Sequence, residues 1–204
     1  GLGSSDPIVF DANSFANVTS INLYGQSELD DLTGIECFVE LDTLQIGNTG
    51  VTDLSPIAEL TKLEYLRMYK TGVSDLEPLR NLTKLRTLRA NRTYISSVEP
   101  ISGLTNLEYL YLDKTAVTDI SPLSGMVELI DLAIHEMASC KPDCGTGSSD
   151  FENSNKLTSI LAVGAMAELR NLWAYNNAIS NISVFTATSS SGVRVHQNLE
   201  NLDL

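Results

Sequence analysis

Apolar residues fall at fixed intervals along most of the chain. Leu63-x-x-Leu66-x-Met68 recurs as Leu85-x-x-Leu88-x-Ala90 and Leu107-x-x-Leu110-x-Leu112, each 22 residues after the last. The frame runs back to Leu41-x-x-Leu44-x-Ile46 and, with one extra residue, to Val18-x-x-Ile21-x-Leu23. Forward it reaches Leu129-x-x-Leu132-x-Ile134, Leu169-x-x-Leu172-x-Ala174 and a cut-off Leu199-x-x-Leu202-x-Leu204. Leu66 and Met68 alternate with Tyr65 and Arg67, which predicts a short strand with one buried face. A period of roughly 20–29 residues with this spacing predicts an α/β repeat solenoid, its strands paired in parallel along a concave face.

The second half of each repeat has its own pattern. Asp53-Leu54-Ser55-Pro56-Ile57 returns as Asp75-Leu76-Glu77-Pro78-Leu79, Ser97-Val98-Glu99-Pro100-Ile101 and Asp119-Ile120-Ser121-Pro122-Leu123. Ser55-Pro56 and Ser121-Pro122 read as a serine N-cap before a proline at the first helical position, where a missing N–H is no loss. A short 3-10 or single-turn helix on the convex side fits the few residues available. Asp53, Asp75 and Asp119 are expected to accept hydrogen bonds from backbone amides of that turn. Between strand and turn stand Thr49, Thr71, Thr93 and Thr115, and Asn177 further on, whose polar groups suit the backbone between repeats.

These residues resemble the 22-residue leucine-rich repeats of internalin-like bacterial surface proteins and of related protein-phosphatase regulators. The resemblance covers about residues 18 to 204 and implies a leucine-rich-repeat solenoid. The stretch from Ile8 to Phe15 is similar to the short N-terminal cap of such proteins, and residues 1–17 are expected to form that leader and cap. Residues 18–204 then hold about seven full repeats and one truncated one. The period breaks twice, through insertions near 138–156 and 186–198. Loops that leave a rigid scaffold often carry function.

Composition narrows the reading further. With 204 residues and 43% apolar content, one continuous repeat domain can form. No apolar run is long enough to span a membrane, and a formal charge of −13 argues against general nucleic-acid binding. Ending at Leu204 in mid-repeat would leave an open strand edge, so the chain is expected to be part of a longer one or to be covered there by a partner. Cys140 and Cys144 flank a Pro- and Gly-containing turn and are expected to form a local disulfide, which implies an oxidising compartment. Free thiols, or a zinc site with His135 and Glu136, are the alternatives. Cys37 reads as a small buried residue.

Candidate chemistry concentrates on the outward strand positions. Tyr65, Tyr109 and Asp131 fall on one row; Arg67, Arg89, Tyr111 and Trp173 on the next; Tyr69, Asn91, Asp113, His135 and Tyr175 on a third; Lys70, Arg92 and Lys114 on a fourth. The one tryptophan and five of the seven tyrosines are among them. Tyr, Trp and Arg dominate binding hot spots, so Tyr65, Arg67, Tyr69, Arg89, Arg92, Tyr109, Tyr111, His135, Trp173 and Tyr175 are the candidate partner-binding residues. Tyrosine also suits a strand surface, and cross-strand packing alone would place it there too. Arg67, Lys70, Arg89, Arg92 and Lys114 form a basic patch that should steer an acidic partner over short range. The sequon Asn91-Arg92-Thr93 crosses this surface, and a glycan there would obstruct it.

No nucleophile elbow, phosphate-cradling loop or metal-binding histidine pair is present, so no enzymatic activity, cofactor or metal is expected. The resemblance implies recognition or adhesion at the cell surface or outside the cell, with a protein, or a glycan, on the concave face. An intracellular scaffold that docks an enzyme is the alternative.

Overall fold

The computed structural model describes residues 15, 17–136, 156–185 and 198–204. Eight strands of three residues follow one another through a single parallel sheet: β1 (Ser20–Asn22), β2 (Thr43–Gln45), β3 (Tyr65–Arg67), β4 (Thr87–Arg89), β5 (Tyr109–Tyr111), β6 (Asp131–Ala133), β7 (Asn171–Trp173) and β8 (Asn201–Asp203). The register holds from strand to strand, with Leu44 opposite Leu66, Leu66 opposite Leu88, and Leu88 opposite Leu110. Strands β2 to β7 turn their central leucine inward. Leu44, Leu66, Leu88, Leu110, Leu132 and Leu172 are all fully buried. With the leucines and valines of the convex turns they make one continuous core from Leu32 to Ala174. Burial of this kind contributes roughly 1.5–3 kcal/mol per large side chain, the main force holding neighbouring repeats together.

The convex side carries short 3-10 turns at Ser55–Ile57, Glu77–Leu79, Glu99–Ile101 and Ser121–Gly125. Their caps differ from the expectation. The N-cap positions are Leu54, Leu76, Val98 and Ile120, so proline follows the first helical residue and neither Ser55 nor Ser121 is a cap. The Ser55 hydroxyl instead donates to Asp53 at 2.6 Å, and its backbone N–H donates to the same carboxylate at 2.8 Å. Asp75 and Asp119 accept the N–H groups of Glu77 and Ser121 in the same way, at 2.8 Å each. These bonds hold the Asp53 and Asp119 carboxyls below the usual carboxylate range.

Inside the solenoid, Thr49, Thr71, Thr93 and Thr115 are buried, and each hydroxyl donates to the carbonyl three residues back, at 2.6 to 2.8 Å. Asn177 reaches further, donating to Ala174 O and to Ile134 O of the preceding repeat, at 2.7 Å each. An amide has two donors where a hydroxyl has one, which is why asparagine bridges two repeats and threonine closes one. Thr93 is thus occupied by the turn, a structural reason for the Asn91 sequon to exist.

The core frame resumes at Leu157. Leu157 and Ile160 are buried as Val117 and Ile120 are, and Ala178 N–H donates to Leu157 O as Ala116 N–H donates to Ile95 O. Cys37 is exposed at the end of the Ile35–Cys37 turn, because Ile35 takes that turn's inward position. Cys140, Cys144, the bulk of both insertions and most of the leader lie outside the described residues. Among the described residues no helix is long and apolar enough to cross a membrane.

Candidate functional site

Side chains flanking each inward leucine must point the other way, so pairing in register stacks them into rows across the sheet. Tyr65 pairs with Thr87 and Thr87 with Tyr109, then Tyr109 with Asp131, which forms the first row. Arg67, Arg89, Tyr111, Ala133 and Trp173 form the second. Backbone bonds carry the ladder one step beyond each strand: Lys70 N–H to Asn91 O, Arg92 N–H to Asp113 O, Lys114 N–H to His135 O and Glu136 N–H to Tyr175 O. They align Tyr69, Asn91, Asp113, His135 and Tyr175. Nine of the ten residues singled out from the sequence therefore share one face, and the tenth, Arg92, follows Asn91 in the left-handed turn at its edge.

The face is internally bonded at several points. Arg67 lies over two rings at once, 4.6 Å from the centroid of Tyr24 and 4.9 Å from that of Tyr69. Those tyrosines stack at 5.9 Å, and their phenol oxygens are 2.7 Å apart. The bond to Tyr24 pushes the Tyr69 pKa above the ordinary value. Arg89 lies 4.7 Å over the Tyr111 ring. Such cation–π contacts contribute about 0.5–1 kcal/mol each at exposed sites and fix the guanidinium planes against the rings. Further along, Tyr111 donates to Asp131 Oδ2 at 3.1 Å, and Asn171 donates to Asp131 Oδ1 at 2.6 Å.

His135 stacks on Tyr175 with ring centroids 4.3 Å apart, and its Nε2 stands 3.7 Å from Asp113 Oδ2. Its Nδ1 is buried without a hydrogen-bond partner. Burial raises the Asp113 pKa, an effect opposed by His135. Lys114 pairs with Glu136 at 2.9 Å, so the fifth member of the expected basic patch is neutralised. No group of three His, Cys, Asp or Glu side chains among the described residues could hold a metal ion.

Sequence reasoning missed the small positions. Gly47 occupies the third row between Tyr24 and Tyr69, and the two tyrosines meet over it. Ala133, on the second row between Tyr111 and Trp173, is 2% exposed although it faces outward. A small residue between aromatics in one row was the available signal. It becomes legible only once the rows are aligned.

A family model described as leucine-rich repeats in two copies matches residues 83–125. No curated protein matches the sequence. Among solved structures, internalin C2 from Listeria monocytogenes aligns over 96% of this chain and 84% of its own, at 19% identity and a TM-score of 0.63. The functional domain of InlJ from the same organism aligns over 94% of this chain and 36% of its own, at 22% identity and a TM-score of 0.74. The leucine-rich-repeat ectodomain of a plant membrane receptor kinase from Arabidopsis thaliana, solved in complex with CASPARIAN STRIP INTEGRITY FACTOR 2, aligns over 95% of this chain and 22% of its own, at 20% identity and a TM-score of 0.69. Repeat, register and neighbours agree: the chain folds as a leucine-rich-repeat solenoid that resembles the internalins in fold.

Proposed function

We propose that this chain is a recognition module that binds a protein partner on its concave face, at the cell surface or outside the cell, with no catalytic role. The leucine-rich-repeat fold supports a protein–protein interaction module, and the site on it must be argued from its side chains. One observation carries that argument: Tyr, Trp and Arg gather along a single sheet face, with the planes of Arg67, Arg89, Tyr24, Tyr69 and Tyr111 held by cation–π and hydrogen-bond contacts. Pre-set aromatic and guanidinium groups lose little entropy on binding, so more of their contact energy survives as affinity. The plant ectodomain solved with its bound factor is a neighbour in which the same fold accompanies a ligand. The extracellular location rests on the likeness to internalins and on the Cys140–Cys144 pair.

The test is affinity capture with the wild-type chain and with a variant in which Arg67, Arg89 and Tyr111 are all alanine. The variant should keep a cooperative unfolding transition and lose the captured partner. A partner held equally by both proteins defeats the concave-face reading. Alkylation before and after reduction tests the location: Cys140 and Cys144 should react only after reduction, and immediate reaction favours an intracellular scaffold.

A further inference from the structure

The outward side chains segregate by sign along the solenoid. Arg67, Lys70, Arg89 and Arg92 lie on and just after β3 and β4, and the other outward positions there are Tyr65, Tyr69, Thr87 and Asn91. No carboxylate interrupts them. From β5 onward the order inverts. Asp113, Asp131 and Asp203 face outward, and the one lysine among them, Lys114, pairs with Glu136, so that those two charges cancel. The local basic patch expected from the sequence thus occupies one part of this face, on and just after β3 and β4.

The aromatic contacts follow the same division. Tyr24, Tyr69 and Tyr111 already have an arginine over their rings. No such cation lies over the Trp173 ring among the described contacts, and its neighbours in register are Ala133 and Asp203. An indole face beside a carboxylate, without a cation of its own, suits the lysine or arginine of another molecule.

Shape limits the occupant. The rows from Tyr65 to Lys70 make a face about 16 Å wide, whereas eight strands at about 4.8 Å spacing make it about 34 Å long. A long, narrow strip suits an extended chain. From the middle of β3–β4 to the middle of β6–β7 is three strand spacings, about 14 Å, or about four residues of extended peptide.

We propose that the concave face is bipolar and takes an extended segment of a partner protein laid across the strands, its acidic side chains over β3–β4 and its basic ones over β6–β7, about four residues apart. This rests on the concave-face reading and adds the partner's charge order to it. The whole chain at −13 would repel a purely acidic segment beyond the patch. A segment carrying both signs in the complementary order is attracted at both ends.

Two fluorescein-labelled synthetic peptides of one composition provide the test, one with a glutamate block four residues ahead of an arginine block, the other with the same charges scrambled. Fluorescence anisotropy on the full chain should show the block peptide binding about tenfold tighter at low ionic strength, the equivalent of two or three exposed ion pairs. High salt should erase most of that preference. The double variant Arg89→Glu, Arg92→Glu should lose it at low salt. Equal binding of the two peptides, or binding of neither, overturns the bipolar inference and leaves the concave-face reading to the capture experiment. A preference that survives in the double variant overturns the bipolar inference as well, since the peptide's charge order would then be read elsewhere, and again leaves the concave-face reading to the capture experiment.

Discussion

Gly47 lies directly beneath Tyr69: a Cβ built on it would stand 2.8 Å from Tyr69 Cδ1 and 3.2 Å from the Tyr69 carbonyl oxygen. The glycine is therefore what lets Tyr69 lean across one whole repeat and reach Tyr24. The ring cannot simply swing away, because the Tyr24 hydroxyl and the Arg67 guanidinium hold it from the other side.

Gly47→Ala is accordingly expected to cost about 1–3 kcal/mol, as overpacking does, and to separate the two phenols. Urea unfolding of the single variant measures the cost. In a Tyr69→Ala background the same substitution should cost less than half as much, since the ring it strikes is gone. Equal costs in the two backgrounds would mean that the glycine serves its own backbone and not the tyrosine.

Asn48, Lys70, Arg92, Lys114, Glu136 and Asn176 occupy one repeat position, and all have left-handed backbone with φ between 51° and 58°. Such a conformation costs about 1–2 kcal/mol for a residue with a Cβ, and more when that Cβ is branched. Lys70 is exposed, so the backbone term can be read there with little interference from packing. Lys70→Gly should change stability by less than about 1 kcal/mol, relief of strain offsetting the added freedom of the unfolded chain. Lys70→Val should destabilise by about 1–2 kcal/mol. Chemical denaturation of the pair decides it: similar stability for both would remove the strain from this turn.

The strands and their inward leucines were legible because a period-2 alternation inside a 22-residue repeat admits one register. Rows follow from register, so the shared face of Arg67, Arg89, Tyr111 and Trp173 was legible too. What the rows do to one another was not. The Tyr24–Tyr69 bond spans two repeats and depends on a glycine, and Asp131 gathers Tyr111 and Asn171 from the strands on either side. Those contacts arise from side-chain lengths across the sheet, which no spacing rule encodes. The turn position was hidden as well. Lysine and arginine carry no mark of φ above zero, and only superposition of the repeats reveals six of them in one conformation. Cys37 was misplaced because a cysteine at a turn was read from its usual burial, while Ile35 two residues earlier already filled the inward site.

The Tyr111 hydroxyl sits where ionisation is opposed from two sides. Burial of the phenol is the larger cause, and the Asp131 carboxylate that accepts its proton at 3.1 Å adds to it; together they push its pKa up to about 12 from the ordinary 10.0. The folded pKa lies above the unfolded one, so the neutral phenol stabilises the fold fully below pH 10. That contribution disappears as pH climbs from 10 to about 12. Burial also raises Tyr175, and the Tyr24 contact raises Tyr69, so the raw alkaline titration of the wild-type chain mixes several late tyrosines. A difference titration at the phenolate absorbance band, wild type minus Tyr111→Phe, isolates the group and should show a midpoint near 12. Asp131→Asn should bring that midpoint down only part of the way, because desolvation remains when the charge is gone. A full return to the ordinary value would make the carboxylate, not burial, the dominant cause, and an unshifted midpoint in the wild type would mean that the phenol is neither buried nor bonded to Asp131 in solution.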